Sequence, residues 1–168
     1  VVIKENFTEF VRFFGFLLGD GWLDKSNKTV GFSLGTRLDK SQQYVDFIQS
    51  LGLSYRIVEE DTSRASCIIH SVYFYNLLLQ LGFKTGSIHK EIPEWIWSLP
   101  TNIQKELLYG FADADGTLTK QGGYQVGTIN KTLLEALRGI AMRSGLSVTK
   151  VWKTQSKEGY WNKQLLPY

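Results

Sequence analysis

At 168 residues with 43% hydrophobic content, the chain is long enough for one compact domain, or two small fused halves, with a real core. No segment is long and apolar enough to span a membrane, no signal peptide is read at its start, and a single cysteine (Cys67) with two histidines (His70, His89) argues against a disulfide or a Cys/His metal site. The net charge of +3 is too small to name a partner.

In chain order, the first predicted element is a helix over 8–19, with Phe10, Phe13, Phe14, Leu17 and Leu18 at helical spacing. It closes on Gly19-Asp20-Gly21, with Gly21 read as a left-handed stop. A strand follows over 30–35, with Val30, Phe32 and Leu34 on one face and Ser33 on the other. Next come a helix over 40–51, strands over 54–59 and 66–71, and a helix over 72–81. Residues 85–93 read as a connector. A helix starts after Pro100, where Thr101 and Gln104 have the spacing of a capping box, and closes on Asp113-Ala114-Asp115-Gly116. Tyr124, Val126 and Thr128 then alternate as a strand, with Gln125 on its opposite face. A helix over 131–144 and a strand over 147–154 complete the list.

Several blocks occur twice in the same order. The segment Gly15-Phe16-Leu17-Leu18-Gly19-Asp20-Gly21 answers to Gly110-Phe111-Ala112-Asp113-Ala114-Asp115-Gly116. Phe32-Ser33-Leu34-Gly35-Thr36 answers to Tyr124-Gln125-Val126-Gly127-Thr128, and Asp39-Lys40-Ser41 to Asn130-Lys131-Thr132. Gly52-Leu53-Ser54 answers to Gly145-Leu146-Ser147. The reading is two copies of one unit about a pseudo-twofold axis, with halves at 1–88 and 89–168.

The helix ends carry the chemistry. A helix C-terminus bears partial negative charge, so an aspartate there is unfavourable by up to about 1 kcal/mol. Asp20 and Asp115 both stand at such an end, and Asp113 adds a third acid. A divalent cation reverses the penalty, and carboxylates with the free carbonyls of the last turn make a hard-oxygen site suited to Mg²⁺. Small residues four apart, Gly15 and Gly19 on one helix and Gly110 and Ala114 on the other, form a stripe along which two helices can approach. Crossing there brings Asp20 and Asp115 together, a geometry suited to metal-assisted phosphodiester cleavage. A single Asp-Gly after an apolar helix is ordinarily just a turn; the pairing makes the difference.

Charge is uneven along the chain. Residues 116–168 carry eight Lys/Arg against Glu135 and Glu158, whereas residues 84–115 carry three Lys against five acids. The basic excess fits a polyanion-binding face, although an ordinary solvated surface gives the same skew.

The two Asp-Gly segments resemble the paired dodecapeptide motifs of the LAGLIDADG homing endonucleases. The second departs little from the consensus; in the first, Leu18 stands where the family often has its earlier acid, and Gly19 replaces Ala. Lys90-Glu91-Ile92-Pro93 resembles the Lys-x-Ile-Pro block of intein-encoded endonuclease domains. The resemblance implies an α+β fold of two αββαββα halves with saddle-shaped antiparallel sheets laid along double-stranded DNA. It implies a monomeric, intracellular, site-specific endonuclease cutting a long non-palindromic site, in its native setting fused to an intein splicing domain. It assigns catalysis to Asp20, Asp115 and Lys90, and two or three Mg²⁺ ions to Asp20, Asp115 and the carbonyl positions Gly19 and Ala114. Base readers by strand parity are Trp22, Asp24, Ser26 and Ser33, with Thr117, Thr119, Gln121 and Gln125 in the second half. Phosphate contacts fall on Lys25, Lys28, Arg37, Lys120, Lys150 and Lys153. The second half has no clear counterpart of Lys90 or of the helix over 72–81, with Lys163 the available substitute, so it reads as shortened or degenerate. That favours an alternative, a non-catalytic nucleic-acid binder on the same scaffold, such as an intron maturase or a regulator.

Overall fold

Helix α1 (Phe7–Asp20) is apolar on nearly every side, so it is stable only when surrounded. Phe10, Phe13, Phe14, Phe16, Leu17 and Leu18 are all at most 2% exposed, and α1 is the centre of the core. A computed structural model describes residues 6–35, 38–61, 64–120, 123–149, 151, 158–161 and 164–167. After α1 come strands β1 (Gly21–Asp24) and β2 (Thr29–Ser33), helix α2 (Leu38–Ser50), strands β3 (Tyr55–Asp61) and β4 (Arg64–Ile69), and helix α3 (Val72–Gln80). A short helix α4 (Glu94–Trp97) precedes α5 (Thr101–Asp115). Then follow β5 (Gly116–Leu118), β6 (Tyr124–Val126), α6 (Lys131–Arg143), β7 (Glu158–Trp161) and β8 (Gln164–Pro167).

The architecture is α+β with antiparallel sheets. The first sheet has the order β1-β2-β4-β3, while β5-β6 and β7-β8 form separate two-stranded sheets. Alternation on β2 is as expected: Val30, Phe32 and Leu34 are buried against α1, joined by Cys67 and Ile69 from β4. Phe13 meets Phe32 edge-on at 5.5 Å between ring centroids, and Phe16 stacks on Tyr44 of α2 at 4.1 Å. No helix among the described residues is long and apolar enough to cross a membrane.

Three local expectations are corrected. Gly21 and Gly116 are extended (φ −96° and −98°), not left-handed. Glycine is needed there for space, because a Cβ would sit 2.7 Å from the Leu17 carbonyl oxygen and 2.2 Å from that of Ala112. Each helix therefore runs into its strand without a loop. The capping box at Thr101 does not form: Pro100 is the N-cap, and Gln104 is fully buried, donating to the carbonyls of Trp97 (3.1 Å) and Leu99 (2.8 Å). The strand expected over 147–154 is absent among its described residues, 147–149 and 151.

The second hairpin also shifts the repeat alignment. Gly21 pairs with Phe32, whereas Gly116 pairs with Val126, so Val126 and not Tyr124 takes the place of Phe32. Val126 packs against the core while Tyr124 is 55% exposed. The turn between β5 and β6 closes on a bond from the Thr119 N–H to the Gly123 carbonyl, a different geometry from the tight turn at 25–28. Parity survives the shift, so Gln125 still faces away from the core, but its equivalent is Gly31 and not Ser33.

Candidate active site at the paired helix ends

Helices α1 and α5 meet along the stripe of small residues. A Cβ on Gly15 would lie 2.1 Å from the Leu107 carbonyl oxygen, and one on Gly110 would lie 1.8 Å from that of Arg12. Leu107 and Gly110 occupy in α5 the motif positions of Arg12 and Gly15 in α1, so the contact is reciprocal. One turn on, Gly19 faces its equivalent, Ala114; a Cβ there would be 2.4 Å from the Ala114 Cβ and 3.2 Å from Asp115 Oδ2. The backbones touch, which carries both helix C-termini to one place.

Asp20 and Asp115 converge at that place. Burial, and then the charge of Asp115, push the Asp20 carboxyl up to about 6, with Lys90 pulling the other way. Partial burial also raises the Asp115 carboxyl, again opposed by Lys90, although Asp115 keeps substantial solvent contact. Lys90 comes from the connector and is 4% exposed. Its ammonium donates to the carbonyls of Leu17 (3.0 Å) and Gly19 (2.9 Å), and lies 5.8 Å from the Phe83 ring centroid. Burial brings Lys90 down to about 8 against the pull of Asp115 and Asp20. Its positive charge caps the negative end of α1 beside the acid pair.

These residues fit a hard cation. The two carboxylates carry more negative charge than the single Lys90 ammonium offsets, and Mg²⁺ commonly takes one or two protein carboxylates and completes its shell with water and substrate phosphate. Among the described residues no group of three or more His, Cys, Asp or Glu side chains could hold an ion, so an ion at this place would have only the carboxylates of Asp20 and Asp115 as side-chain donors. The Gly19 carbonyl, expected as a ligand, already accepts from Lys90.

Asp113 does not join them. Its Oδ2 accepts from Arg12 Nη2 (2.9 Å), the Tyr44 hydroxyl (2.6 Å) and Gln43 Nε2 (3.3 Å), tying α1, α2 and α5 together. Burial and Asp113 together push the Tyr44 phenol up, so it remains a donor. The available signal for this node is Arg12, the single basic residue of α1, but its partner lies 101 positions away. Asp113→Leu is expected to lose about 1–3 kcal/mol, since it takes the nearer carboxylate from the part-buried Arg12, which keeps Glu106 at 3.6 Å, and the 2.6 Å acceptor from the Tyr44 hydroxyl. In chemical denaturation Arg12→Leu/Asp113→Leu should lose less than the sum of the two single variants.

The expected base readers are divided. Trp22 lies across the sheet on Gly31, where a Cβ would be 2.3 Å from the indole, so its ring covers the outer face of β2. Asp24 is occupied by its own turn, accepting from the N–H groups of Ser26 (2.8 Å) and Asn27 (3.2 Å) and from the Asn27 side chain (2.7 Å). Ser33 Oγ accepts from the Gly35 N–H, and Thr119 Oγ1 from that of Gly123. Thr117 and Gln125 are cross-strand partners, both exposed. Lys25, Ser26, Lys28 and Lys120 are exposed as well. Arg37, Gln121, Lys150 and Lys153, with Lys163, lie outside the described residues.

No family model matches the chain. Over 130 residues, 67% of this chain and 13% of the other protein, it is 29% identical to the tRNA-splicing ligase RtcB of Pyrococcus furiosus. Over 80 residues, 47% of this chain and 9% of the other, it is 36% identical to the iron-sulfur cluster assembly SufBD family protein ML0593 of Mycobacterium leprae. The chain thus spans only a small part of the length of these curated relatives. Among solved structures, full-length DUF199/WhiA from Thermatoga maritima resembles it with a TM-score of 0.58 at 13% identity, over 81% of this chain and 43% of that one. That likeness concerns the fold alone.

Proposed function

We propose that the chain is a LAGLIDADG-type DNA endonuclease domain that hydrolyses phosphodiester bonds on both strands of a long, non-palindromic site. The observation that carries this reading is the reciprocal backbone contact of α1 and α5, which delivers Asp20 and Asp115 to one point. Reciprocity at equivalent motif positions is what a duplicated unit about a pseudo-twofold axis produces. Asp20 and Asp115 would hold Mg²⁺, which supplies charge neutralisation and Lewis-acid activation in phosphodiester hydrolysis. Lys90 sets the local charge: it fixes the end of α1 through two carbonyls and opposes the mutual repulsion of the acids. Exposed Lys25, Lys28 and Lys120, on the turns of the hairpins that leave the two motif helices, suit phosphate contact.

The relatives support an inserted form. An iron-sulfur assembly protein and an RNA ligase carry unrelated names, yet each matches this chain over a small part of its length. A segment shared by otherwise unlike proteins is the trace expected of a transferable module, in keeping with an intein-associated endonuclease. The rival, a nucleic-acid binder without cleavage, draws support from Lys90 spending two of its three N–H donors on carbonyls of α1.

Incubation with a randomised duplex library and Mg²⁺ separates the two readings. The enzyme leaves enriched cut ends, whereas the binder retains DNA and cuts none. On the recovered site Lys90→Ala should slow one strand much more than the other, because no second lysine is placed equivalently among the described residues. End-labelled strands report this directly, and equal loss on both would remove a strand-specific role for Lys90.

A further inference from the structure

We infer that Asn130 is a positioning residue that holds Lys90 in place, so that the start of α6 controls the lysine beside the acid pair. Asn130 is 8% exposed and stands at the start of α6. Its Oδ1 accepts from the Leu133 N–H at 3.0 Å, an N-cap bond that any Asn, Asp or Ser could make. Its amide nitrogen does something separate. It donates into a nest of three connector carbonyls: Lys90 at 2.6 Å, Ser87 at 3.1 Å and Ile88 at 3.3 Å. Only a side chain with an acceptor and a two-hydrogen donor on one plane can cap the helix and gather these carbonyls together.

Besides Asn130 the connector is held lightly, by an exposed Lys84–Glu91 pair and a bond from the Leu23 N–H to Thr85 Oγ1 (3.4 Å). Residues 84–89 are all exposed, Gly86 is left-handed (φ 85°), and a bond from the His89 N–H to the Gly86 carbonyl (2.9 Å) closes a turn. Lys90 is buried immediately after it, with its ammonium directed to Leu17 and Gly19. Apolar burial resumes only at Ile92 and Pro93. The clamp therefore acts on the backbone of Lys90 itself, from one side, while its ammonium reaches α1 on the other.

The consequence for catalysis rests on the role proposed above for Lys90, and the test keeps the two apart. Asn130→Asp retains an N-cap acceptor at a helix end that favours negative charge, but it sets a carboxylate oxygen against three carbonyls. Asn130→Ser retains the cap and withdraws the donor. Amide hydrogen exchange, read without DNA, should quicken about tenfold or more over residues 86–90 in both variants, while protection over 131–143 stays as in the parent. Unchanged exchange at 86–90 in both would overturn the clamp. Single-turnover cleavage should fall about 10–100-fold, on the same strand that Lys90→Ala slows, with DNA affinity in Ca²⁺ unchanged. In a Lys90→Ala background, Asn130→Asp should add almost nothing, which a merely structural loss would not produce. Additive losses, or parental cleavage by Asn130→Asp, would overturn the positioning role. If Lys90→Ala cuts both strands at the parental rate, the proposed role of Lys90 fails, and the exchange measurement still decides whether Asn130 holds the segment.

Discussion

Gly110→Ala should unfold the protein or leave it barely stable. The added methyl would sit 1.8 Å from the Arg12 carbonyl oxygen and 2.8 Å from the Phe16 nitrogen, both backbone atoms with no rotamer to escape into. Overpacking a core that can adjust typically costs about 1–3 kcal/mol, and here the adjustment requires two helices to separate. Gly15→Ala should behave alike, with its methyl 2.1 Å from the Leu107 carbonyl oxygen. A domain of this size has a total stability of about 5–15 kcal/mol, so either change consumes a large share of it. Gly127→Ala is the control, since nothing lies within 4 Å of the Cβ it would add. Thermal melting distinguishes them: a midpoint for Gly110→Ala equal to that of Gly127→Ala would mean that α1 and α5 do not touch there.

Asp20→Asn should abolish cleavage and, in the same protein without metal, raise stability at neutral pH. The sign follows from the direction of the shift. Asp20 titrates at about 6 when folded, above its ordinary value near 4, so between these values the folded state holds a proton that the unfolded state has lost. Stability contributed by the protonated carboxyl is present below about pH 4 and is lost as pH rises through about 6. At pH 7 the ionised group is a net cost of about 1–2 kcal/mol, once its partial solvent contact is taken into account. Asparagine carries no such cost. Melting curves between pH 4 and pH 8 should show the parent losing stability across this window and Asp20→Asn losing less, the remainder coming from Asp115. Mg²⁺ should stabilise the parent and leave the variant unmoved. Asp115→Asn should share the direction, since burial raises that carboxyl too. Full cleavage by both variants would remove the acids from the chemistry, and a steeper pH dependence in Asp20→Asn would contradict the electrostatics of the acid pair.

Much of the site could be read along the chain because its determinants are local. Helical spacing of the phenylalanines placed α1, small residues one turn apart marked the contact stripe, and an acid before glycine marked each helix end. These are properties of a few neighbouring residues. The same locality explains the misreadings. Asp-Gly after a helix has the pattern of a left-handed stop, but the chain enters a strand at once, and Leu17 and Ala112 leave no room for a Cβ. Thr101 and Gln104 had the capping spacing, yet burial of Gln104 turned its amide toward the carbonyls of Trp97 and Leu99.

By itself the sequence determined the type and order of most elements, the buried face of β2 and the two acids at the helix ends, since periodicity and chain-terminating residues act over a turn or a pleat. Tertiary structure alone decided what the buried polar groups do. Asp113 reads like a third site acid, but Arg12 and Tyr44 claim it from 101 and 69 positions away. Lys90 stands out along the chain only through its resemblance to a Lys-x-Ile-Pro block, and nothing local shows that it is buried, holding carbonyls of α1 at one end and held by Asn130 at the other. A buried donor must find an acceptor, and which acceptor is in reach is set by how the helices and the connector pack, which no local pattern records.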